Sequence, residues 1–432
     1  MVLQEKVSLS LNVRGLGISP TLAINEKSRE LAGRGCRIFR LGLGQSPFPI
    51  PASVVDSLKF HAHRKEYLAV KGLEALREAV ASFHRREDKA EASAENVIIG
   101  PGSKELMFLL QVVFYGEIIV PTPCWVSYVP QARIVGREVK LIPTSFESRW
   151  KITPDALLAL LREENDKFRP RLLVLNYPAN PDGESYTQEE LMEIADIVRK
   201  FDIILLSDEI YAMIHHKGEH VSISRFYPEG TIISSGLSKW CGAGGWRLGT
   251  FTIPSRLEWL LEAMAAVASE TYTSVNAPVQ YAAVTAFSSN INVNRYLWHV
   301  RRILSALGKK CAALLRQVGA RVHDPVGAFY LFPDFSPMKE VFARRGITTS
   351  REFCDRLLME AGVAALPGEA FERPPGELTL RIAYVNFDGA KALAASENIP
   401  LDRKLPKRFL GDYCQETITA IEKLAGWIES LK

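Results

Sequence analysis

The chain has 432 residues, of which 47% are hydrophobic and 24% charged. This length and composition predict a large buried core in more than one lobe, and they exclude a disordered chain or a coiled coil. The 53 Lys and Arg residues are mixed with 49 Asp and Glu residues, so the chain lacks the concentrated positive field of a nucleic-acid-binding protein. No signal peptide is readable in Met1–Ser10 and no long apolar run follows, so we expect a soluble, cytoplasmic protein without a membrane span.

The spacing of cysteines and histidines argues against disulfides and against a metal site. The six cysteines lie far apart and form no C-x-x-C pair, which is typical of reduced thiols in a cytosolic protein. His215, His216 and His220 form the one histidine cluster. Because Lys217–Glu219 lie between them, a solvated loop is favoured over a closed zinc site, and we expect no resident metal.

Short apolar runs alternate with amphipathic helical patterns along the first two thirds of the chain. Glycines and prolines first interrupt regular structure in Leu41–Pro51, which marks a lobe boundary or an active-site loop. Helices are then predicted over 73–83, 104–114, 154–162 and 188–201, and strands over 97–99, 117–120, 172–175, 203–206 and 231–233. This alternation predicts a mostly parallel sheet covered by helices on both faces, with ligands at the carboxyl ends of its strands.

After Pro254 the pattern becomes helical, and from about residue 310 it predicts a second, smaller α+β lobe. The predicted elements of this lobe are a helix from about 310, strands within 327–332 and 378–385, and helices over 351–361 and 415–431. The N-terminal fifty residues are expected to share its layer.

A lysine in a glycine-rich segment follows the predicted strand 231–233. Lys239 lies among small residues, and Arg247 follows eight positions later. Desolvation in such a pocket lowers the pKa of an amine enough for it to attack a carbonyl and form a Schiff base. An ordinary surface lysine beside a glycine-rich turn is the alternative.

Acidic and amide side chains follow two neighbouring strands. Asp208 and Tyr211 come directly after the strand 203–206. A carboxylate there can keep a heteroaromatic nitrogen protonated, or it can hold Mg²⁺, although no G-x-x-x-x-G-K-[ST] loop precedes it. Asn180 follows the strand 172–175 in a loop fixed by two prolines and a glycine, so its amide can be aimed with little loss of entropy.

The turn Gly100–Lys104 lies between a predicted strand and a predicted helix. Its exposed backbone N–H groups and the Ser103 hydroxyl favour a phosphate at the helix N-terminus. A plain helix N-cap at Ser103 explains the same residues equally well.

Taken together, these segments resemble the class I and II aminotransferases of fold type I, which use pyridoxal 5′-phosphate. The resemblance extends from about Leu41 to Tyr384. The motifs that carry it are Glu66-Tyr67-Leu68 with Gly72-Leu73, Gly102-Ser103-Lys104, Pro121-x-Pro123-x-Trp125-x-x-Tyr128, Asn180-Pro181-x-Gly183, Ser207-Asp208-Glu209-Ile210-Tyr211, and Lys239 with Arg247.

The resemblance implies an α/β fold of the fold-type I transferases, with a three-layer α/β/α large domain, a mostly parallel sheet and a smaller α+β domain. The large, cofactor-binding domain would cover residues 50–305. The small C-terminal domain would cover 306–432, and residues 1–49 would form an N-terminal arm and part of the small domain.

The resemblance also implies roles for individual residues. Lys239 would bind the cofactor covalently and later move the proton at the substrate's α-carbon. Asp208 would pair with the positively charged nitrogen of the cofactor ring. The other cofactor-binding residues would be Tyr211 and Asn180 at the phenolic oxygen, Trp125 stacked on the ring, Ser103, Lys104, Ser238 and Arg247 at the phosphate, and Tyr67 reaching in from the neighbouring subunit. The substrate carboxylate would lie against Arg381, Gly44 and Asn180.

Three features depart from the family pattern. Position 182 is Asp where Thr is usual, and Gly236 stands where a phosphate-binding Ser is often found. Residues 396–411, rich in Lys, Arg and Pro, resemble an insertion.

The expected activity is transfer of the amino group of an L-amino acid to a 2-oxo acid through pyridoxamine phosphate, in a homodimer with shared active sites. A lyase or cyclase of the same fold, such as a C–S lyase or an aminocyclopropane-carboxylate synthase, would retain the same cofactor residues. A ligand-sensing domain of a transcription regulator is a third hypothesis, but the segment before Gly44 leaves too little room for a DNA-binding domain.

Overall fold

The structure is a computed structural model that describes residues 8–163, 169–288 and 291–432. Residues 1–7, on which the signal-peptide prediction partly depends, lie outside the described residues. None of the helices in the described ranges combines the length and the apolar character that a membrane span needs.

Helices and strands alternate through most of the chain. In chain order the strands are β1 (Phe39–Arg40), β2 (Val97–Gly100), β3 (Glu117–Thr122), β4 (Val139–Pro143), β5 (Arg171–Asn176), β6 (Ile204–Asp208), β7 (Thr231–Gly236), β8 (Gly249–Thr252), β9 (Tyr330–Leu331), β10 (Val363–Ala364), β11 (Leu366–Pro367) and β12 (Leu380–Ala383). The α-helices are α1 (Pro20–Gly33), α2 (Ala52–His61), α3 (Glu74–Glu87), α4 (Ser103–Val113), α5 (Tyr128–Ile134), α6 (Pro154–Glu163), α7 (Gln188–Lys200), α8 (Glu258–Ser269), α9 (Ala277–Phe287), α10 (Ile291–Gln317), α11 (Lys339–Ala343), α12 (Ser350–Ala361), α13 (Gly389–Glu397), α14 (Phe409–Tyr413) and α15 (Gln415–Leu431).

A seven-stranded sheet in the order β2-β8-β7-β6-β5-β3-β4 organises the larger part of the molecule. The strands from β7 to β4 pair in parallel, and β8 pairs antiparallel with both β2 and β7. The strands are apolar because both faces are covered: Leu106 of α4 and Leu260 of α8 belong to the core on one face, and Leu157 of α6 and Leu191 of α7 to the core on the other. This is the predicted three-layer arrangement with a mostly parallel sheet.

The register of the parallel strands aligns their carboxyl ends. Asn176 at the end of β5 lies opposite Asp208 at the end of β6, and Asp208 lies opposite Ser234 of β7. The polar segments that follow β5, β6 and β7 therefore begin at the same edge of the sheet.

Two small sheets hold the rest of the chain. One has the order β11-β12-β9, and the other pairs β1 in parallel with β10, with Phe39 opposite Val363. The N-terminal segment and the C-terminal part thus share a layer. The long helix α10 packs against α13 and α15 beside these sheets.

Candidate active site

A cavity of about 480 Å³ opens at the carboxyl edge of the large sheet. It brings together ten of the twelve residues for which the sequence predicts a site role. Its lining consists of Leu22, Leu43, Gly44, Gln45, Ser103, Lys104, Trp125, Asn176, Asn180, Asp208, Ile210, Tyr211, Ser238, Lys239, Gly244, Gly245 and Arg247. Of the other two residues, Arg381 contacts this lining through Asn180, whereas Tyr67 lies at the surface.

Lys239 points into the cavity from the segment that follows β7. Its Nζ donates a hydrogen bond to the Gly44 carbonyl oxygen over 2.8 Å, and it lies 5.3 Å from the centroid of the Tyr211 ring. The chain reaches this position through Gly236, where a Cβ atom would lie 2.7 Å from the Leu248 carbonyl oxygen. This close approach favours the absence of a side chain at position 236.

Asp208 is buried at the end of β6. The Tyr128 hydroxyl donates a hydrogen bond to Oδ2 over 2.6 Å, and the Ser234 hydroxyl donates one to Oδ1 over 3.3 Å. Burial raises the pKa of the Asp208 carboxyl to about 6, against the opposing effect of these donors and of Lys239. A cationic group placed in the cavity would favour the ionised carboxylate, as a protonated ring nitrogen does.

Backbone and guanidinium donors converge at the start of α4. A Cβ atom at Gly102 would lie 2.1 Å from Nη2 of Arg247, and one at Gly249 would lie 2.0 Å from the Ser103 nitrogen. Glycines therefore let the helix N-terminus and Arg247 approach each other, and Arg247 is further held by the Gly244 carbonyl over 2.9 Å. This cradle fits a phosphate group, because the N–H groups of a helix N-terminus and an arginine both attract anions.

A fully buried arginine lies behind the opposite end of the cavity. Nη1 of Arg381 donates to Oδ1 of Asn180 over 3.2 Å, and Nη2 donates to the Gly42 carbonyl over 2.5 Å. Asn180 is in turn fixed by Asn176, whose Oδ1 accepts a hydrogen bond from the Asn180 nitrogen over 2.8 Å. Since burial lowers the pKa of Arg381 and no carboxylate pairs with it among its described hydrogen bonds, the guanidinium is suited to bind an anionic ligand.

Lys104 and Trp125 form one wall of the cavity. The Lys104 Nζ lies 5.0 Å from the centroid of the Trp125 ring. Burial lowers the pKa of the Lys104 amine, and the charges of Arg247 and Lys239 add to this effect. Tyr67 lines no part of this wall, since 89% of its surface is exposed in the single chain.

Sequence reasoning assigned no role to three residues that contact the site. Tyr128 belongs to the motif Pro121-x-Pro123-x-Trp125-x-x-Tyr128, but its bond to Asp208 spans 80 positions of the chain. Tyr330 lies within the predicted strand segment 327–332, and its hydroxyl lies 2.8 Å from that of Tyr211. Asn176 ends the apolar strand β5 and lines the cavity, and its place at the carboxyl end of a parallel strand is the one signal that could have found it.

The histidine cluster is not a solvated loop, so that expectation is wrong. His215 is buried, and His216 contacts the carbonyl oxygens of Pro325 and Ala328 over 3.0 and 3.1 Å. Nε2 of His220 pairs with Oε2 of Glu209 over 2.7 Å. The exposed residues of this segment are Lys217–Glu219, because the histidine rings face the neighbouring lobe and the core instead.

His220 and Glu209 also belong to a group of three possible metal ligands with Asp88, whose ligand atoms lie within 4.8 Å of one another. Arg225 and Arg301 line the same cavity. These two guanidinium groups place positive charge beside the carboxylates of Asp88 and Glu209.

Comparison with known proteins agrees with this geometry. Residues 37–396 match the family Aminotransferase class I and II. The aspartate aminotransferase of Bacillus sp. (strain YM-2) is 32% identical over 391 residues, which cover 88% of this chain and 95% of that protein. The probable aspartate/prephenate aminotransferase of Thermus aquaticus is 32% identical over 374 residues, which cover 84% of this chain and 92% of the relative.

The aspartate aminotransferase from Thermus thermophilus, solved with maleate, has a similar structure. Its TM-score is 0.82 at 28% sequence identity, and the match covers 97% of this chain and 99% of that chain.

Fold and site together define a pyridoxal-phosphate-dependent transferase of fold type I. The chain belongs to the class I and II aminotransferases, and it is an enzyme that moves an amino group from an amino acid to a 2-oxo acid. The predicted family, fold class, reaction and cofactor are confirmed.

Proposed function

We propose that this aminotransferase uses an acidic L-amino acid, such as aspartate, as its amino donor. The observation that carries the proposal is the position of Lys104, a cationic side chain in the wall of the cavity beside Trp125. A second carboxylate on the substrate can pair with this ammonium group. The names of the relatives, which are aspartate or aspartate/prephenate aminotransferases, support the same substrate class.

Lys239 is the residue that we propose for covalent attachment and proton transfer. Pyridoxal phosphate, when bound, supplies an electron-withdrawing ring that weakens the bonds at the substrate's α-carbon. Once it is released from its hydrogen bond to the Gly44 carbonyl, the Lys239 amine would accept the proton of the substrate's α-carbon. It would then donate this proton to the C4′ atom of the cofactor. Asp208, held by Tyr128, would keep a positive charge on the ring nitrogen.

The remaining residues would position the cofactor and the substrate. The start of α4 at Ser103 and Lys104, with Ser238 and Arg247, would bind the phosphate. Trp125 would stack on the ring, and Tyr211 and Asn180 would bind its phenolic oxygen. Arg381, Asn180 and the backbone at Gly44 would hold the substrate carboxylate, which fixes the orientation of the α-carbon's bonds relative to the ring.

The molecular organisation that we propose is a homodimer. Residues 50–305 would form the cofactor-binding domain, residues 306–432 the small domain, and residues 1–49 an arm that completes the small domain. Tyr67, exposed in one subunit, would reach the phosphate in the other. A cytoplasmic location is supported by the six free cysteines, five of which are buried.

Transfer is favoured over the lyase or cyclase outcome, since the relatives compared above are aminotransferases by name.

A panel of donors with 2-oxoglutarate as acceptor tests the proposal. Aspartate should give a higher kcat/KM than alanine or tyrosine, and Lys104→Met should lower the value for aspartate about 10- to 100-fold while that for alanine stays within about twofold. Lys391→Met, at an exposed lysine that does not line the cavity, serves as the control. Equal losses for aspartate and alanine, or no turnover of aspartate, would contradict the proposed substrate class.

Covalent attachment is tested separately. After borohydride treatment of the holoenzyme, the peptide that contains Lys239 should carry the mass of the reduced cofactor, and Lys239→Ala should carry none. An unmodified wild-type peptide would refute the assignment of Lys239.

A further inference from the structure

We propose that Tyr330 is a positioning residue that joins the two ends of the active site, because its hydroxyl supports Tyr211 while its ring supports Arg381. This inference rests on the proposed roles of Tyr211 and Arg381. It assigns a function to a side chain whose sequence context is that of a core residue.

The backbone places Tyr330 beside Arg381. Tyr330 lies on β9 opposite Ala383 of the antiparallel strand β12, and Arg381 is two residues before Ala383. Side chains two residues apart on a strand point to the same face of a sheet. The Arg381 guanidinium accordingly lies 4.9 Å from the centroid of the Tyr330 ring, within the range of a cation–π contact.

The hydroxyl of Tyr330 reaches the other end of the site. It lies 2.8 Å from the Tyr211 hydroxyl, and both tyrosines are buried. Burial and the neighbouring Tyr330 raise the pKa of Tyr211 far above its usual value, so this phenol stays protonated. If Tyr330 donates to the Tyr211 oxygen, the Tyr211 proton is left for the cofactor's phenolic oxygen, and the accepted bond strengthens Tyr211 as a donor.

A third contact ties Tyr330 to the N-terminal segment. A Cβ atom at Gly44 would lie 2.0 Å from the Tyr330 hydroxyl oxygen, so the hydroxyl packs directly on the Gly44 backbone. The Gly44 carbonyl accepts the hydrogen bond of Lys239. Tyr330 thus contacts the groups proposed for the substrate carboxylate, for the cofactor ring and for the resting lysine, and a shift of its side chain would disturb all three.

The alternative is that Tyr330 only fills the core, and Tyr330→Phe separates the two roles because it keeps the ring and removes the hydroxyl. We expect the dissociation constant of pyridoxal phosphate, measured by fluorescence on apoenzyme, to rise about 2- to 10-fold, which corresponds to one net hydrogen bond. The pH midpoint of the bound cofactor's absorbance should shift as well. Because the ring still supports Arg381, the KM for the amino donor should change less than twofold.

Tyr330→Leu removes the aromatic ring as well as the hydroxyl. We expect the KM of this variant for the amino donor to be about tenfold higher than that of Tyr330→Phe, because the cation–π contact with Arg381 is lost. Tyr384→Phe is the matched control. Tyr384 is equally buried and follows β12, but its hydroxyl faces His216 at 3.4 Å, so the cofactor's dissociation constant and the absorbance midpoint should stay unchanged.

The proposal is overturned if Tyr330→Phe leaves both the dissociation constant and the absorbance midpoint at their wild-type values. A double-mutant cycle of Tyr211→Phe and Tyr330→Phe gives a second test, in which the two effects on cofactor binding should fall short of additive. Additive effects would overturn the coupling. A wild-type protein that binds no pyridoxal phosphate would instead refute the proposed function, so the two failures are distinguishable.

Discussion

Asp182 shows how one residue can depart from its family without disturbing the site. It lies two residues after Asn180, it is buried, and its Oδ1 accepts a hydrogen bond from the Glu184 nitrogen over 2.8 Å. Burial, with a smaller effect of Glu184, raises the pKa of the Asp182 carboxyl to about 8. At neutral pH the side chain is therefore largely protonated, and it can take the place of the uncharged Thr that the family resemblance implies at this position.

This protonation state predicts a pH-dependent stability. The unfolded chain ionises Asp182 near its ordinary pKa of 3.8, whereas the folded protein does so near 8, so its contribution to stability is complete below about pH 4 and is lost as the pH rises to 8. Asp182→Asn removes this loss and keeps an acceptor for the Glu184 nitrogen. We expect the variant to be more stable than the wild type at pH 9 by about 6 kcal/mol, the free energy that corresponds to this pKa shift, and about equally stable at pH 4.

Urea unfolding at both pH values measures the difference. Asp402→Asn, an exposed aspartate, is the control and should change neither value. A variant that differs from the wild type by the same amount at pH 4 and pH 9 would contradict a titrating Asp182.

At the level of single residues, the sequence predicts the site side chains that directly follow a strand. It does not predict the side chains that contact them from distant parts of the chain. Lys239, Asp208 and Asn180 each follow an apolar strand, so the ligand-binding edge of a parallel sheet predicts where they lie. The bond of Tyr330 to Tyr211 joins residues 119 positions apart. Tertiary packing brings these two residues together, and no local pattern carries that information.

Among the strands of the large sheet, β4 and β8 are the two that the hydrophobic pattern does not indicate. β4 is an edge strand whose residues are mostly part-exposed, so its sequence lacks a continuous apolar run. β8 is fully buried between β2 and β7, but one glycine and two threonines lower its hydrophobicity. The buried, apolar strands β3, β5 and β7 were each predicted within the observed bounds, because both faces of the sheet are covered.

The segment 396–411, whose role could not be interpreted from its sequence, is bound by an arginine of α10 in addition to the core packing of Ile399 and Leu405. Nε of Arg302 donates to the Ser396 hydroxyl over 2.8 Å, and the other nitrogens reach the carbonyl oxygens of Ile399 and Pro400 over 3.0 and 3.3 Å. The guanidinium also lies 4.4 Å from the centroid of the Trp298 ring. One side chain thus satisfies several backbone acceptors of a segment that has no helix between α13 and α14.

Arg302→Met should release this segment. Removing hydrogen bonds that a charged group donates should lower the free energy of unfolding by about 1–3 kcal/mol. Trypsin should cleave the native protein faster after the exposed Lys404 and Lys407, as measured by the time course of the fragments. Lys309→Met, at an exposed position of the same helix, should leave the cleavage rate unchanged, and an unchanged rate in Arg302→Met would contradict this role.

At the scale of the whole molecule, the site lies where the large sheet, the small sheets and the N-terminal segment meet. Arg381 of β12 contacts Asn180, which follows β5, and Gly42, which follows β1. A second arginine, Arg373, donates to the Thr122 carbonyl at the end of β3 over 3.0 Å. The cavity therefore depends on long-range packing, although its residues lie in short local motifs.

The proposed dimer extends this dependence to a second chain and makes a prediction for mixed subunits. Exposed aromatic side chains at Phe60 and Tyr67, 73% and 89% accessible in the single chain, are suited to such a contact. If Tyr67 serves the partner's site, Tyr67→Ala homodimers should bind pyridoxal phosphate about tenfold more weakly than the wild type, which corresponds to one charge-assisted hydrogen bond. Lys239→Ala homodimers should be inactive.

A hybrid of one Tyr67→Ala subunit and one Lys239→Ala subunit then contains one site with both native residues, because the two substitutions fall together in the other site. The purified hybrid should show one site of wild-type cofactor affinity and about half of the wild-type activity per dimer. If Tyr67 instead acts within its own subunit, each site of the hybrid carries one substitution. In that case no wild-type site appears in the titration, and the shared active site is refuted.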